Sequence, residues 1–280
     1  YNNRCNGGID ISGYGFDDTG GYGFAVDVYD NTCILPAMPT NTEEAGLLFE
    51  SGSTGGVYFR RNFIKNFSKG LVLSMTQNSL VRGIDGLYVD YNIFSEIGRV
   101  SASMTGTTIE FNCVPSTGWT YPTVNDFRVR NNVFHRGTTP AQTYGINMYA
   151  NASGAGATWT NVTFANNITY NVYTPCKWED QTVTGATLVD NISFNATNNN
   201  RFVDCDTTNI SAETFITSNP LFKSNETFRL RPTSPAIDAG TDMGLTTDYW
   251  GHRVPQNGTP DIGACEYGNY VLFYNGKQLY

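Results

Sequence analysis

Six copies of one short frame constrain this chain more than anything else in it. In the fullest copy, Val162–Val172 (VTFANNITYNV), apolar residues alternate into a pair of asparagines and one apolar residue follows the second. Aligned on Asn167, the frame returns at Asn31, Asn62, Asn92, Asn132 and Asn191. Three residues earlier stand Val28, Phe59, Val89, Val129, Phe164 and Leu188, and five earlier stand Val26, Val57, Leu87, Phe127, Val162 and Ala186. Thr32, Phe63, Ile93, Val133, Ile168 or Ile192 comes directly after. Period two running into a polar residue, then a single apolar one, reads as strand, sharp corner, strand.

The copies are spaced by 31, 30, 40, 35 and 24 residues. A period in that range means stacked units, none of which can bury its own apolar face. No copy carries a 3.6-residue run, and Asn, Gly, Thr and Val crowd the places where helix formers would sit, so helical repeats fit badly. Asparagine at a repeated corner has two physical uses: it tolerates left-handed backbone, and its amide can bond the identical amide one coil above and below. Segments such as Gly7–Gly13, Phe24–Asn31 and Thr32–Leu35 supply three sides in turn. The expectation is an all-β solenoid of parallel strands, three per rung and about seven rungs, roughly 34 Å long at the usual strand spacing. Residues 1–222 form the coils, 223–268 a C-terminal segment of the same domain, and 269–280 a β-prone tail. Long rungs must extrude loops, here Gly13–Gly21, Pro36–Glu44, Thr76–Gly83, Met104–Asn125 and Gly137–Tyr144.

Charged residues are only 15% of the chain and the net charge is −8, which argues against nucleic acid and anionic membranes as partners. No apolar run approaches the length of a membrane span. The start at Tyr1, without Met or a signal-like stretch, suggests a processed protein or a fragment. Of the six cysteines, Cys5 and Cys33 lie 28 residues apart and Cys176 and Cys205 lie 29 apart, about one coil. Each pair could face across adjacent rungs as a disulfide, in an oxidising compartment, or stack as free buried thiols. Without C-x-x-C spacing, and with two isolated histidines, a metal cluster is not expected. Nine Asn-x-Ser/Thr sequons occur; Asn167 and Asn191 should be buried corners, whereas Asn66, Asn151, Asn195, Asn209, Asn225 and Asn257 fall in loops or outer turns and are the glycosylation candidates.

Beyond Asn219 the grammar changes to NPLF, FRLRPTSPAIDAG (Phe228–Gly240), DYWGHRVP (Asp248–Pro255) and PDIGACEYG (Pro260–Gly268). These pieces, about the last fifth of the chain, resemble the C-terminal signature of secreted right-handed parallel β-helix proteins of the choice-of-anchor group. The resemblance implies a right-handed parallel β-helix, export to the cell surface or beyond, and for some members action on polysaccharides. Cys265 stands where that group shows an aromatic, which favours a disulfide here, with Cys113 as partner if all six cysteines are oxidised. Asp238, Asp248, Asp261 and Glu266 lie in the signature; they could hold Ca²⁺, but bonding nearby backbone NH groups to cap the helix end is the stronger expectation, and no other cofactor is implied.

Glycan chemistry needs paired carboxylates, or a base beside a cation-bound acid. If strand-one residues share a face, Asp10, Glu50, Lys69, Lys177, Glu179, Asp180, Asp204 and Asp206 are the available material. The concentrated group is Lys177, Glu179, Asp180 and Asp204, with Trp178 placed to stack on a sugar. No catalytic motif accompanies them, and a solvated polar edge is the stronger reading of them. The ends carry more. Rung one starts near Tyr1 with little to cover it, while Tyr270, Val271, Leu272, Phe273 and Tyr274 open an apolar tail that either folds back as a hairpin about Asn275–Gly276 or pairs with another chain. Two functions follow: an extracellular structural or adhesive protein, its partners further copies of itself stacked head to tail or surface glycans, or a polysaccharide lyase or glycoside hydrolase working on a strand face.

Overall fold

The structure is a computed structural model that describes residues 3–12, 26–39, 44–50, 56–74, 84–98, 106–113, 123–137, 143–150, 157–179, 182–198, 202–203, 206–212, 215–268, 272–274 and 277–279. Its first rung is β1 (Arg4–Cys5), β2 (Ile9–Ser12) and β3 (Val26–Tyr29). The second is β4 (Thr32–Ile34), β5 (Ala45–Glu50) and β6 (Val57–Arg60); the third is β7 (Phe63–Lys65), β8 (Lys69–Ser74) and β9 (Ile84–Asp90). The fourth is β10 (Ile93–Ser95), β11 (Gly106–Cys113) and β12 (Thr123–Arg130), and the fifth β13 (Val133–His135), β14 (Thr143–Ala150) and β15 (Thr158–Ala165). The sixth is β16 (Ile168–Tyr170), β17 (Thr174–Glu179) and β18 (Thr182–Val189), and the seventh β19 (Ile192–Phe194), β20 (Phe202–Val203) and β21 (Asp206–Ala212).

Every third strand joins the same sheet, which gives three parallel seven-stranded sheets: A from β1 to β19, B from β2 to β20 and C from β3 to β21. This is a right-handed parallel β-helix with three strands per rung. Strands outside the sequence reading include β1, which precedes the first expected side Gly7–Gly13, β11, which falls within the expected loop Met104–Asn125, and β21, in a stretch assigned to no side. The interior is one column of stacked side chains, such as Val57, Leu87, Phe127, Val162 and Ala186, all in register and buried. Positions 127 and 162 are matched by the adjoining pairs Asn125–Thr160 and Arg128–Thr163. Each large side chain so buried contributes about 1.5–3 kcal/mol.

The corner asparagines form a continuous ladder. Nδ2 of Asn31 donates to Oδ1 of Asn62 (2.9 Å), Asn62 to Asn92 (2.9 Å), Asn92 to Asn132 (3.0 Å), Asn132 to Asn167 (3.0 Å) and Asn167 to Asn191 (3.0 Å). Asn3, which the repeat did not reveal, adds a rung at the top by donating to Asn31 Oδ1 at 3.0 Å. The second amide hydrogen of Asn132 goes to Val89 O, and its Oδ1 also accepts the backbone NH of Asn92, so a wholly buried carboxamide is fully partnered. The left-handed backbone, however, sits one residue earlier than expected: at Asp30, Arg61, Tyr91, Asn131, Asn166 and Asp190, with φ between 49° and 57°. The ladder residue itself is needed for its amide, and its predecessor turns the chain.

That division explains the doublets Asn131–Asn132 and Asn166–Asn167. The second asparagine of each is in the ladder; the first reaches outward to residues 220–268, an irregular strap lying along the outer face of sheet A. Asn131 Nδ2 donates to Asp261 O (3.0 Å), Asn166 Nδ2 donates to Thr241 O (2.7 Å), and Asn166 Oδ1 accepts Thr241 NH (3.0 Å). A second apolar core lies between, where Ile93, Val133, Ile168 and Ile192 of sheet A meet Phe222, Phe228, Leu230, Ala236, Ile262 and Ala264. Gly263 (φ 102°) passes so close that a Cβ there would meet Ile168 Cδ1 at 2.6 Å.

The cysteine expectations divide. Cys5 and Cys33 oppose each other in β1 and β4, Sγ atoms 2.8 Å apart as free thiols, which is the placement a bridge needs. Cys176 is buried in β17, and Cys205, its expected partner, lies outside the described residues. Cys265 is a free thiol buried in the strap, 3.6 Å from Thr227 O, and the side chain of Cys113, the last residue of β11, lies outside the described ones.

Replacing Asn167 by alanine strands the acceptors and donors on both neighbouring rungs, and a loss of roughly 1–3 kcal/mol is expected in denaturant unfolding. An unchanged unfolding midpoint contradicts the ladder.

Candidate functional site

The outer face of sheet B is where the charged candidates converge. Asp10, Leu48, Val72, Glu110, Asn147 and Lys177 form one outward row, each opposite the next. Lys69 Nζ donates to Glu110 Oε1 at 2.7 Å, and Lys177 Nζ stands 5.7 Å from the centre of the Tyr144 ring. Glu110 was hidden because its strand was read as loop. Its spacing of two residues between Thr108 and Asn112 could have exposed it. A cavity of about 300 Å³ lies at the upper end of this face, with Leu48 and Val72 as floor and Asp10 and Lys69 as polar flanks.

Two corrections follow. Trp178 points into the core and is fully buried, so its ring is closed to a sugar. Asp206 opens β21 in sheet C and does not share the sheet B face. Asp10, the other carboxylate of the row, is three rungs from Glu110, roughly 14 Å at the usual strand spacing, too far to act with it on one glycosidic bond. Glu179 ends β17, and Asp180 and Asp204 lie outside the described residues.

The strap carboxylates are spent on backbone. Asp248 accepts the NH of Trp250 (2.9 Å), His252 (2.7 Å) and Glu266 (3.0 Å); Asp261 accepts those of Asp238 (2.8 Å) and Tyr267; Glu266 accepts those of Gln256 (3.1 Å) and Asp261 (2.9 Å). Asp238 is more open, 3.4 Å from Gly258 N. Such bonds tie the strap to itself, along the side of the helix and not across its end. Among the described residues no set of His, Cys, Asp and Glu is arranged to hold a metal ion.

The two ends differ. In the first rung the inward residues Cys5, Ile9, Ile11 and Val26 are only half-buried, whereas their register partners Cys33, Leu47, Phe49 and Val57 are closed off. Among the described residues no strand pairs with the outer edges of β1, β2 or β3. At the far end Phe215 takes the place of a ladder asparagine and turns into the core beside Phe164, while Ile216 bridges Ile192. Of the tail, Leu272–Tyr274 (β22) and Lys277–Leu279 (β23) pair antiparallel with Tyr274 opposite Lys277; Tyr270 and Val271 lie outside the described residues.

Among the sequons, Asn167 and Asn191 are buried in the ladder. Asn161, Asn195, Asn209, Asn225 and Asn257 are exposed, Asn66 is half-buried with its amide donating to Leu35 O at 2.7 Å, and Asn151 lies outside the described residues. Comparison with family models, curated proteins and solved structures found no match for this chain.

Burial pushes Asp261 up to about 6 and Glu266 up to about 7, and pulls His135, packed against Tyr170 and under Phe228 of the strap, down to about 4. The carboxylates hold protons more tightly folded than unfolded. Their contribution is therefore full below the ordinary carboxylate value of about 4 and is lost as pH rises through 6 and 7. His135 opposes them, destabilising the fold as pH falls from about 6.5 towards 4. Above about pH 6.5 the carboxylates act without that opposition, and the melting temperature is expected to decline between about pH 6.5 and 8. A flat or rising curve there contradicts the assignment.

Proposed function

We propose that this chain is an extracellular structural protein whose subunits stack along the helix axis, the open first rung of one receiving the far end of another. The observation that carries the reading is the half-buried inner row Cys5, Ile9, Ile11 and Val26 beside three strand edges that no strand pairs among the described residues. A sheet edge without a partner is a template for pairing, and a heterologous contact between two different ends continues as a filament unless rotation closes it. The ladder favours the same arrangement: its amides donate towards the far end, and among the described residues none donates to Asn3 Oδ1. The exposed sequons Asn225 and Asn257 and the low charge are in keeping with a secreted, glycosylated subunit. Residues 270–280, apolar and β-prone, are the segment proposed to reach the next subunit.

Electron microscopy of the purified chain is expected to show rods that lengthen with concentration. Deleting residues 270–280, or placing a charge at the open rung with Ile11→Lys, should leave the circular dichroism spectrum β-rich and abolish the rods. A full-length chain that stays monodisperse at high concentration, or a deletion that assembles as before, counts against stacking through these ends.

A further inference from the structure

The outer face of sheet C carries a feature that end-to-end stacking does not use. Its strands are kinked at one stacked position, six residues before the ladder: Gly86, Asp126, Asn161, Gly185 and Asn209 all have left-handed backbone, with φ of 90°, 56°, 55°, 70° and 54°. Glycine, aspartate and asparagine are the residues that accept such a φ at little cost. The kink swings the first half of each strand away from the second and leaves a trough along the helix axis.

The trough is closed at its upper end because side-chain height changes from rung to rung. In the row four residues before the ladder, Tyr58 and Tyr88 are stacked with ring centres 4.8 Å apart, and the Arg128 guanidinium lies 5.5 Å from the Tyr88 ring. Below it the row drops to Thr163 and Thr187. A cavity of about 310 Å³ opens at this step, walled by Asp126, Arg128 and Arg130 above and Met243 of the strap at the side, floored by Thr163 and Thr187, with Asn161, Gly185 and Asn209 along the kinked edge.

The charges of the wall are already matched. Arg128 donates to both oxygens of Asp126 (2.5 and 2.9 Å), Tyr88 Oη donates to the same carboxylate (2.6 Å), and Arg130 donates to both oxygens of Asp90 (2.8 and 2.6 Å). A planar guanidinium held flat by two bonds, hydroxyls repeating at the strand spacing of roughly 4.8 Å, and side-chain amides suit a neutral, hydroxyl-rich ligand about one pyranose ring per rung. A second signal is independent of this geometry: Asn161-Val162-Thr163 and Asn209-Ile210-Ser211, two of the nine sequons, both open into the same trough.

We propose that this trough is a saccharide site, holding successive sugar rings of a neutral glycan along rungs four to seven. The glycan has two possible sources with one chemistry. It is either a separate oligosaccharide or a chain attached at Asn209, formed when Nδ2 bonds to the anomeric carbon of a diphosphate-linked donor sugar, the amide losing one proton and the diphosphate leaving. The site does not depend on assembly through the ends, and its success or failure leaves that reading untouched.

The test is titration calorimetry with chitotetraose, cellotetraose and mannotetraose on the full chain, on Thr187→Trp and on Asn209→Gln, together with peptide mass mapping of Asn209. Thr187 is exposed, so the indole fills the trough without disturbing the core. At least one sugar is expected to bind Asn209→Gln, and Thr187→Trp to weaken binding tenfold or more. If Asn209 carries a glycan, the native chain should bind more weakly than Asn209→Gln; if Asn209 is bare, the native chain should itself bind at least one of the sugars. No binding of any of the three sugars to Asn209→Gln, or binding that Thr187→Trp with native circular dichroism leaves unchanged, overturns the proposal.

Discussion

The hydrogen-bonded stack of corner amides is the constraint on which the rest of this molecule depends. A parallel β-helix must turn its chain sharply at the same place in each rung while burying the turn against the rungs above and below. A buried backbone corner leaves polar groups that water cannot reach, and each unpaired one costs on the order of 1–3 kcal/mol. Here one carboxamide per rung answers that need: its NH₂ serves the next amide and the carbonyl three residues before the previous ladder asparagine, such as Val28 for Asn62 and Phe59 for Asn92. The ladder therefore fixes register, and register brings every second residue of sheets B and C into a single column.

Because the ladder occupies the inside of the corner, its outside is left for another purpose. Asn131 and Asn166, turned outward by left-handed backbone, carry the bonds that hold the strap, and the strap converts a face of sheet A into a second core. Rungs four to six are thus held from two sides. Among the described residues neither the strap nor any strand besides those of rung two lies against rung one, and its inner row is correspondingly open.

Much of this was legible in residue spacing. Period-two alternation into a recurring asparagine specified stacked strands, their parallel direction and the amide ladder, since all three follow from local pattern plus repetition. What escaped had no such signal or a misleading one. Asn3 escaped the repeat because Tyr1 and Asn2 before it show no alternation. β11 was lost inside an apparent loop because Gly106–Cys113 holds two threonines and a glutamate where sheet B usually shows aliphatic residues. Trp178 looked like a surface aromatic among charges; alternation places Lys177 outward and Trp178 inward, and the charged neighbours obscured that period. The kinked column of sheet C was readable in principle, since Gly86, Asp126, Asn161 and Gly185 all stand six residues before a ladder asparagine. Where the strap lies is a tertiary fact with no sequence period to announce it.

The joint support of ladder and strap is the source of stability, and peptide-resolved hydrogen–deuterium exchange on the dilute chain tests that most directly. Local opening follows how many buried contacts and bonds a segment must break. The slowest exchange is expected in β13 and β16, flanked by Asn131–Asn132 and Asn166–Asn167, and the fastest among the strands in β1, β2 and β3. Exchange in β13 and β16 as fast as in the first rung would contradict the account.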